Sequence, residues 1–333
     1  MNIVHTESSL GWGGQEIRIL SESQGLIRRG HSVRLLCPPE ARIFGEAPAW
    51  GVPVVGLPIG RKRPAGVRAL LVMGRPYPVV RTRHISAPVS TSALSRWLYT
   101  RATSRIVTTG ERLKKELVER NGFPAARIES VPTGVDPQRF RPGDKAAARS
   151  ALKLPPEGLL VGIVATLRSW KGHLFLIDAM AEVPQAGLVI VGDGPMRAQL
   201  EARVDQHGMR ARTWFAGNQK DVVPWLQALD VFALPSYANE GVPQALLQAM
   251  LTGLPCVTTS AGSIEELAKD GDTGLIVPQK QVAPLRAAIQ RLLQVEPLRR
   301  RLGEAARRHC EANFSYQAML DKMERIYREA SSR

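Results

Sequence analysis

The chain has 333 residues, enough for two domains of ordinary size, and its 44% hydrophobic and 23% charged content is that of a globular protein. No apolar run reaches the ~18 residues that span a bilayer. Three scattered cysteines (Cys37, Cys256, Cys310) without a CxxC pair fit buried thiols in a reducing compartment and argue against structural zinc.

The formal charge of +15 is unevenly placed: residues 1–150 hold 24 Lys and Arg against 11 Asp and Glu, with a local cluster at Arg61-Lys62-Arg63 and Arg68. Such an excess is either solvated surface or a field that draws a polyanion. An anionic membrane face fits better than nucleic acid, because no nucleic-acid-binding motif or basic-aromatic stripe accompanies the charge.

In chain order, Met1 to Thr6 lack a basic n-region and an apolar h-region and read directly into a buried strand, so a cytoplasmic protein is expected. Strands are expected at 2–5, 32–37, 52–57, 78–83, 105–108 and 128–131, and helices at 14–29, 65–73, 91–102 and 110–121. Gly30 after Arg28-Arg29 is a good stop for the first helix. The turn-rich stretch from Pro132 to Asp144 marks a boundary. It divides a first domain, 1–143, from a second, 144–315, with a final helix near 316–333 packing back on the first. The second half alternates strands at 159–165, 187–191, 212–215, 230–234, 255–258 and 274–277 with helices at 172–181, 195–207, 221–228, 242–252, 263–268 and from 281 onward. Val- and Ile-rich runs alternating with helices predict an α/β protein with two doubly wound, Rossmann-like domains facing a central cleft.

Four loops could carry chemistry. Gly11-Trp12-Gly13-Gly14 precedes the first helix, where Gly13 and Gly14 permit either close approach to a ligand or a plain tight turn. The loop after strand 159–165 carries Arg168 and Lys171 ahead of Gly172. A planar fork and a point charge together suit a diphosphate, and two solvated surface cations are the bland alternative. Val191-Gly192-Asp193-Gly194-Pro195 reads as a turn before a helix. In the fourth loop Glu240 sits at the head of a helix, as a cap or as a ligand group, with the backbone N–H groups of Gly241 and Val242 near the helix dipole. Gln248, eight residues on, falls within roughly 80° of Glu240 on one helical face.

These pieces, with Phe215-Ala216-Gly217, Ala228-Leu229-Asp230-Val231, Gly253-Leu254-Pro255-Cys256-Val257 and Asp270 to Pro278, resemble in order and spacing the family-4 retaining glycosyltransferases of the GT-B fold. Gly13-Gly14-Gln15-Glu16 and Thr133-Gly134-Val135-Asp136 match the family's first domain and hinge.

The resemblance implies a nucleotide-diphosphate-sugar donor on the second domain, a glycan or lipid-linked acceptor on the first, and neither metal nor separate cofactor. Arg168 and Lys171 would neutralise the leaving diphosphate, and Glu240 would address the donor sugar. The backbone from Gly241 to Pro243 would serve the phosphate, Gly217-Asn218 would lie beside the base, and His84 would face the sugar. The pathway it implies is lipopolysaccharide or other surface-glycan synthesis, at the cytoplasmic face of a membrane.

The sequence departs from the family twice. Gln248 stands where the family has a second glutamate, which is either a harmless variant or a weakened ribose contact. Residues 61–78 hold one helix where the family has a strand and a helix, so the first domain is expected to be one βα unit short. An epimerase or hydrolase of the same fold, and a donor-binding protein without transfer activity, are the alternatives.

Overall fold

The computed structural model describes residues 1–58, 77–84, 89–238 and 240–332. The expected helix at 65–73, the Arg61–Arg68 cluster and the missing βα unit fall outside the described residues. The chain divides into two compact units, Met1–Thr133 with Gln317–Arg333, and Gly134–Tyr316. The division falls inside the turn-rich stretch, ahead of the 143/144 position expected.

In the first unit β1 (Asn2–Thr6), β2 (Ser32–Cys37) and β3 (Val54–Gly56) form one parallel sheet, and β4 (Val80–Arg83), β5 (Arg105–Thr108) and β6 (Ile128–Ser130) form another. Each sheet has its own small core. Leu20, Leu35 and Ile43 are buried on the first, and Ile106, Leu117 and Phe123 on the second. The helix Gly14–Arg28 carries a fully buried Arg18, which donates to the Val131 carbonyl at 2.6 Å and lies 3.6 Å from the Glu22 carboxylate. Glu22 in turn accepts from the Tyr327 hydroxyl at 2.8 Å, on the last helix, Tyr316–Ser331. A buried guanidinium needs such partners, and here they tie the first helix to the last and to the chain just before the unit boundary.

The second unit is a six-stranded parallel sheet in the order β12-β11-β10-β7-β8-β9. Its strands are β7 (Leu159–Val164), β8 (Ala186–Val191), β9 (Thr213–Gly217), β10 (Val231–Leu234), β11 (Cys256–Thr258) and β12 (Leu275–Ile276). β8 and β10 are nearly continuous apolar runs because helices cover both faces of a parallel sheet. Strand order reverses between β7 and β10, the kind of switch point beside which open α/β sheets bind their ligands.

The buried Asp230 carboxylate pins the opposite end of this pair. It accepts from the Leu160 backbone N–H at 2.8 Å and from Arg149 at 2.7 Å, and is paired with Lys145. Both cations lie on Lys145–Leu152, a helix that the turn signals around Gly143 had concealed. Its Asp144 cap accepts from the Ala147 N–H at 3.1 Å. The helix Arg42–Glu46 and the 3₁₀ turn Ala47–Trp50 were likewise unexpected, and the helix expected at 263–268 is only a 3₁₀ turn, Ile264–Glu266.

All three cysteines are free and buried. Burial raises each thiol pKa, that of Cys37 to about 11. Among the described residues no helix is long and apolar enough to cross a membrane.

Candidate functional site

The loops after β7 and β10 meet at the switch point of the second unit. Lys171, in the 3₁₀ turn Ser169–Lys171, donates from Nζ to Oε1 of Glu240 at 2.6 Å. The lysine side chain is 18% exposed and the glutamate 5%, so the pair is largely withdrawn from water and its attraction is only partly screened.

Four contacts hold the loops in place. The Tyr237 N–H donates to the Trp170 carbonyl at 2.9 Å. Gly172, at φ +78°, lies so close to Pro235 that a Cβ there would sit 2.1 Å from the Pro235 carbonyl oxygen. On the far side Gly262, at φ +58°, backs onto Glu240 itself, and a Cβ would approach the Glu240 carbonyl oxygen to 1.9 Å. No side chain fits either position without moving the loop. The Thr259 hydroxyl, just past β11, donates to the Ser236 carbonyl and closes the frame.

Arg168 does not join this pair. Its exposed guanidinium lies over the Trp170 ring, 5.8 Å from the centroid, and no hydrogen bond or ion pair reaches it among the described residues. His173, the first residue of the helix His173–Ala181, is buried. Burial, and then the charge of Lys171, push its pKa down to about 3. The ring is therefore neutral beside the lysine at ordinary pH.

Two expectations for the fourth loop are corrected. The helix runs from Gln244 to Leu251 with Pro243 as its cap residue, which offers no side-chain bond. Glu240 thus lies in the loop ahead of the helix, caps nothing, and shares no helical face with the half-buried Gln248. The free amides of the first turn belong to Gln244, Ala245 and Leu246, whereas Gly241 and Val242 precede it. Pro243 is what moved the start: its fixed φ suits the entry to a helix better than the interior. Asn239 is outside the described residues.

The neighbouring turns are architectural. The Asp193 carbonyl accepts from the Leu167 N–H at 3.0 Å, while its side chain accepts from the Gly194 N–H at 2.7 Å. Gly217, at φ +68°, accepts from the Gly192 N–H at 2.8 Å and turns the chain toward the exposed Asn218.

In the first unit Gly13 and Gly14 open the first helix with Gly13 extended (φ −177°), so neither position demands glycine on conformational grounds. Glu16, one turn on, is buried. Burial first of all, with the nearby Glu7 adding to it against hydrogen bonds from Ser9 and the backbone, raises its pKa. Glu7 accepts from the N–H groups of Ser8 and Ser9 and from Gln15. His84 directly follows β4, and its carbonyl accepts from the Thr109 hydroxyl at 3.3 Å. Burial, then the positive charge of Arg18 and the presence of His5 and Arg83, depress its pKa to about 3. It is a neutral imidazole that can donate or accept.

Sequence reasoning passed over Thr259 and Gly262. Neither bears charge, and the only signal was a small-residue stretch, Thr258 to Ser263, directly after a strand. Among the described residues no group of three or more His, Cys, Asp or Glu is placed to hold a metal ion.

Comparison with known proteins supplies the lineage of this arrangement. Residues 144–309 match the model of "Glycosyl transferases group 1", and residues 62–139 match that of "Glycosyltransferase Family 4". The D-inositol 3-phosphate glycosyltransferase of Mycobacterium bovis is 31% identical over 276 residues, covering 76% of this chain and 57% of the relative. The chain thus spans little more than half the length of that curated relative.

Among solved structures, Anabaena HepE in complex with UDP-glucose superposes with a TM-score of 0.87 at 20% identity, covering 100% of both chains. A glycosyltransferase from Rickettsia africae does so with 0.86 at 17% identity, covering 99% of this chain and 98% of its own. At such identities the superpositions speak for the fold alone, and that fold is GT-B. With the family's models matching residues 62–139 and 144–309, the chain belongs to the family-4, group 1 glycosyltransferases.

Proposed function

We propose that the protein is a retaining, nucleotide-sugar-dependent glycosyltransferase whose donor is held by the second unit. The observation that carries this reading is the Lys171–Glu240 pair at the switch point, framed by loops that leave no room for a side chain at Gly172 or Gly262. Lys171 supplies a point charge and Arg168, exposed over the Trp170 ring, a flat donor fork, together suited to a diphosphate whose negative charge grows as it leaves. Glu240 accepts hydroxyl hydrogens of the donor sugar once Lys171 turns toward phosphate. Charge neutralisation by these two cations gives transfer that needs no divalent metal. Donor hexoses carried on UDP are the first to test, since HepE superposes on this chain with UDP-glucose bound.

The acceptor in this reading is a glycan or lipid-linked saccharide of a bacterial surface polymer such as lipopolysaccharide. The basic first half would bring the enzyme to the anionic cytoplasmic face of the membrane. Flotation with phosphatidylglycerol-containing vesicles at low and high salt tests that part separately.

The deciding experiment for donor binding is a thermal-shift screen of nucleotide diphosphates and their sugar conjugates, in the presence and absence of EDTA. Stabilisation by at least one of them, unaffected by EDTA and abolished in Lys171→Ala, is the expected result. If no nucleotide stabilises the protein, the reading fails. Stabilisation followed by release of free sugar or an isomerised donor, with no acceptor present, would replace transfer by hydrolysis or epimerisation.

A further inference from the structure

A second site lies on the second unit, at the outer edge of its sheet. A cavity of about 320 Å³ opens beside β9, which is the last strand in the order, with β8 between it and β7. Neither Arg168, Lys171 nor Glu240 lines it. Its volume is at the small end of the ~300–1,000 Å³ range of sites that hold small molecules.

Three aromatic side chains form much of the wall. Trp214 and Phe215 come from β9, and Trp225 comes from the helix Val223–Ala228; each is half-buried. Gly187 makes room for the first of them, because a Cβ there would meet the Trp214 ring at 2.6 Å. Thr213 is 8% exposed, and its hydroxyl has no hydrogen-bond partner among the described residues. A buried hydroxyl of this kind costs free energy until something bonds to it.

The polar groups of the rim narrow the class of ligand. Arg197 is paired with Glu201 at 2.6 Å and stacks on Phe215 at 4.6 Å, while Arg210 faces Asp205 at 3.8 Å. Each cation already has a carboxylate, so the site offers no surplus positive charge to a phosphate or a nucleotide. It offers instead aromatic surface, a carboxylate and guanidinium that can bond adjacent hydroxyls, and one unused hydroxyl on the wall. That combination suits a neutral, polyhydroxylated ring with apolar C–H faces.

From this geometry we infer that the β9 edge is an accessory saccharide-binding site, holding one pyranose unit of a glycan chain independently of the donor loops. The inference goes beyond the donor reading, and a glycan bound here would be retained near the enzyme between turnovers.

The test uses the full chain saturated with UDP, so that the donor loops are occupied, and titrates maltohexaose, cellohexaose and chitohexaose by calorimetry. At least one is expected to bind. Thr213→Val, which keeps the shape and removes the hydroxyl, and the surface double variant Glu201→Ala/Arg210→Ala should each weaken it about tenfold, the effect of losing one or two hydrogen bonds. Both should keep the parent's melting temperature and UDP affinity. Binding unchanged in both variants, binding displaced by UDP-glucose, or no binding of any of the three at millimolar concentration would each overturn the inference. None of these outcomes touches the UDP measurement, so the donor reading stands or falls separately.

Discussion

Lys171 donates to Glu240 across 2.6 Å, and the two come from loops on either side of the point where the strand order of the second unit reverses. The pair is local electrostatics and topology at once. β7 and β10 are neighbours in the sheet but far apart in sequence, and only the reversal lets their following loops converge on one ligand. The lysine satisfies a carboxylate that is 5% exposed, and so holds it aimed before a donor arrives.

Removing either member should therefore do two things. Lys171→Ala leaves Glu240 buried without its cation, a loss toward the lower end of the ~3–5 kcal/mol seen for broken buried pairs, because the lysine retains some exposure. Transfer should fall by roughly two orders of magnitude or more, the scale of deleting a group that meets developing charge. Glu240→Gln keeps a hydrogen-bond acceptor and should hold its melting temperature better while losing turnover comparably. Kinetics and melting curves on both variants check this. Full activity in Lys171→Ala would remove the lysine from the mechanism.

Gly262 is the least obvious member of the site and the sharpest test of its frame. Gly262→Ala must place a methyl carbon where the Glu240 carbonyl oxygen already is, in a backbone region that disfavours side chains. The segment carrying Glu240 has to shift, and misplacement by about 1 Å can cost on the order of a hundredfold in rate. We expect turnover to fall with only a modest loss of stability, a split that comparing kcat with Tm will reveal. Gly271→Ala, also at positive φ but with open space around it, is the control for conformational strain alone.

The legibility of the sequence followed the strength of each physical signal. β8 and β10 were clear because buried parallel strands are written as nearly continuous apolar runs, here Ala-Gly-Leu-Val-Ile-Val and Val-Phe-Ala-Leu. Arg168 and Lys171 were visible as cations placed just after such a strand. Helix Lys145–Leu152 was missed because Pro142 and Gly143 are strong turn signals. Yet the Asp144 cap and the alanines beyond it start a helix there, held by the Asp230 carboxylate from 81 residues away in the case of Arg149. The helical phase drawn between Glu240 and Gln248 failed for a local reason, Pro243. Gly262 was hidden for another, since a glycine that matters by what it leaves empty carries no chemical label.

Asp230 yields a stability prediction free of catalysis. Its carboxylate is buried and shared between Arg149, Lys145 and the Leu160 N–H. Asp230→Ala strands Arg149, 3% exposed, without a counter-charge, and should cost about 3–5 kcal/mol. In denaturant titrations the midpoint should drop with little change in slope. An unchanged midpoint would mean that the helix Lys145–Leu152 does not depend on this anchor.

Gln248 tests how much the departure from the family's second glutamate matters. It is half-buried on the helix Gln244–Leu251, and its own carbonyl already accepts from the Thr252 N–H and hydroxyl. Its side-chain amide retains one good acceptor for a ribose hydroxyl. Gln248→Glu should tighten nucleotide binding by less than about tenfold, the worth of making one hydrogen bond charge-assisted, and Gln248→Ala should weaken it by a similar factor. Calorimetric titration with UDP distinguishes these from no effect, which would place the residue outside the nucleotide's reach.

The buried His173 and the half-buried His84 give the protein an acid limit. His84 and His173 both have pKa values depressed to about 3 in the folded chain, mainly by burial, against an ordinary value of 6.5. Above pH 6.5 both are neutral whether folded or unfolded, and neither makes stability depend on pH. As pH falls below 6.5 the unfolded chain takes up protons that the folded chain refuses until about pH 3. The unfolded state then binds more protons, so stability declines on acidification across that window. Melting temperature measured from pH 8 to pH 4 should be flat at first and then fall. Replacing His173 by Gln, which cannot be protonated, should lower stability at pH 8 for lost packing yet reduce the slope below pH 6.5; His84→Gln should do the same independently, since the two lie in different units. If each variant kept the parent's acid slope, the decline would belong to other groups, His5, whose pKa burial also lowers, or the carboxylates, and not to these rings.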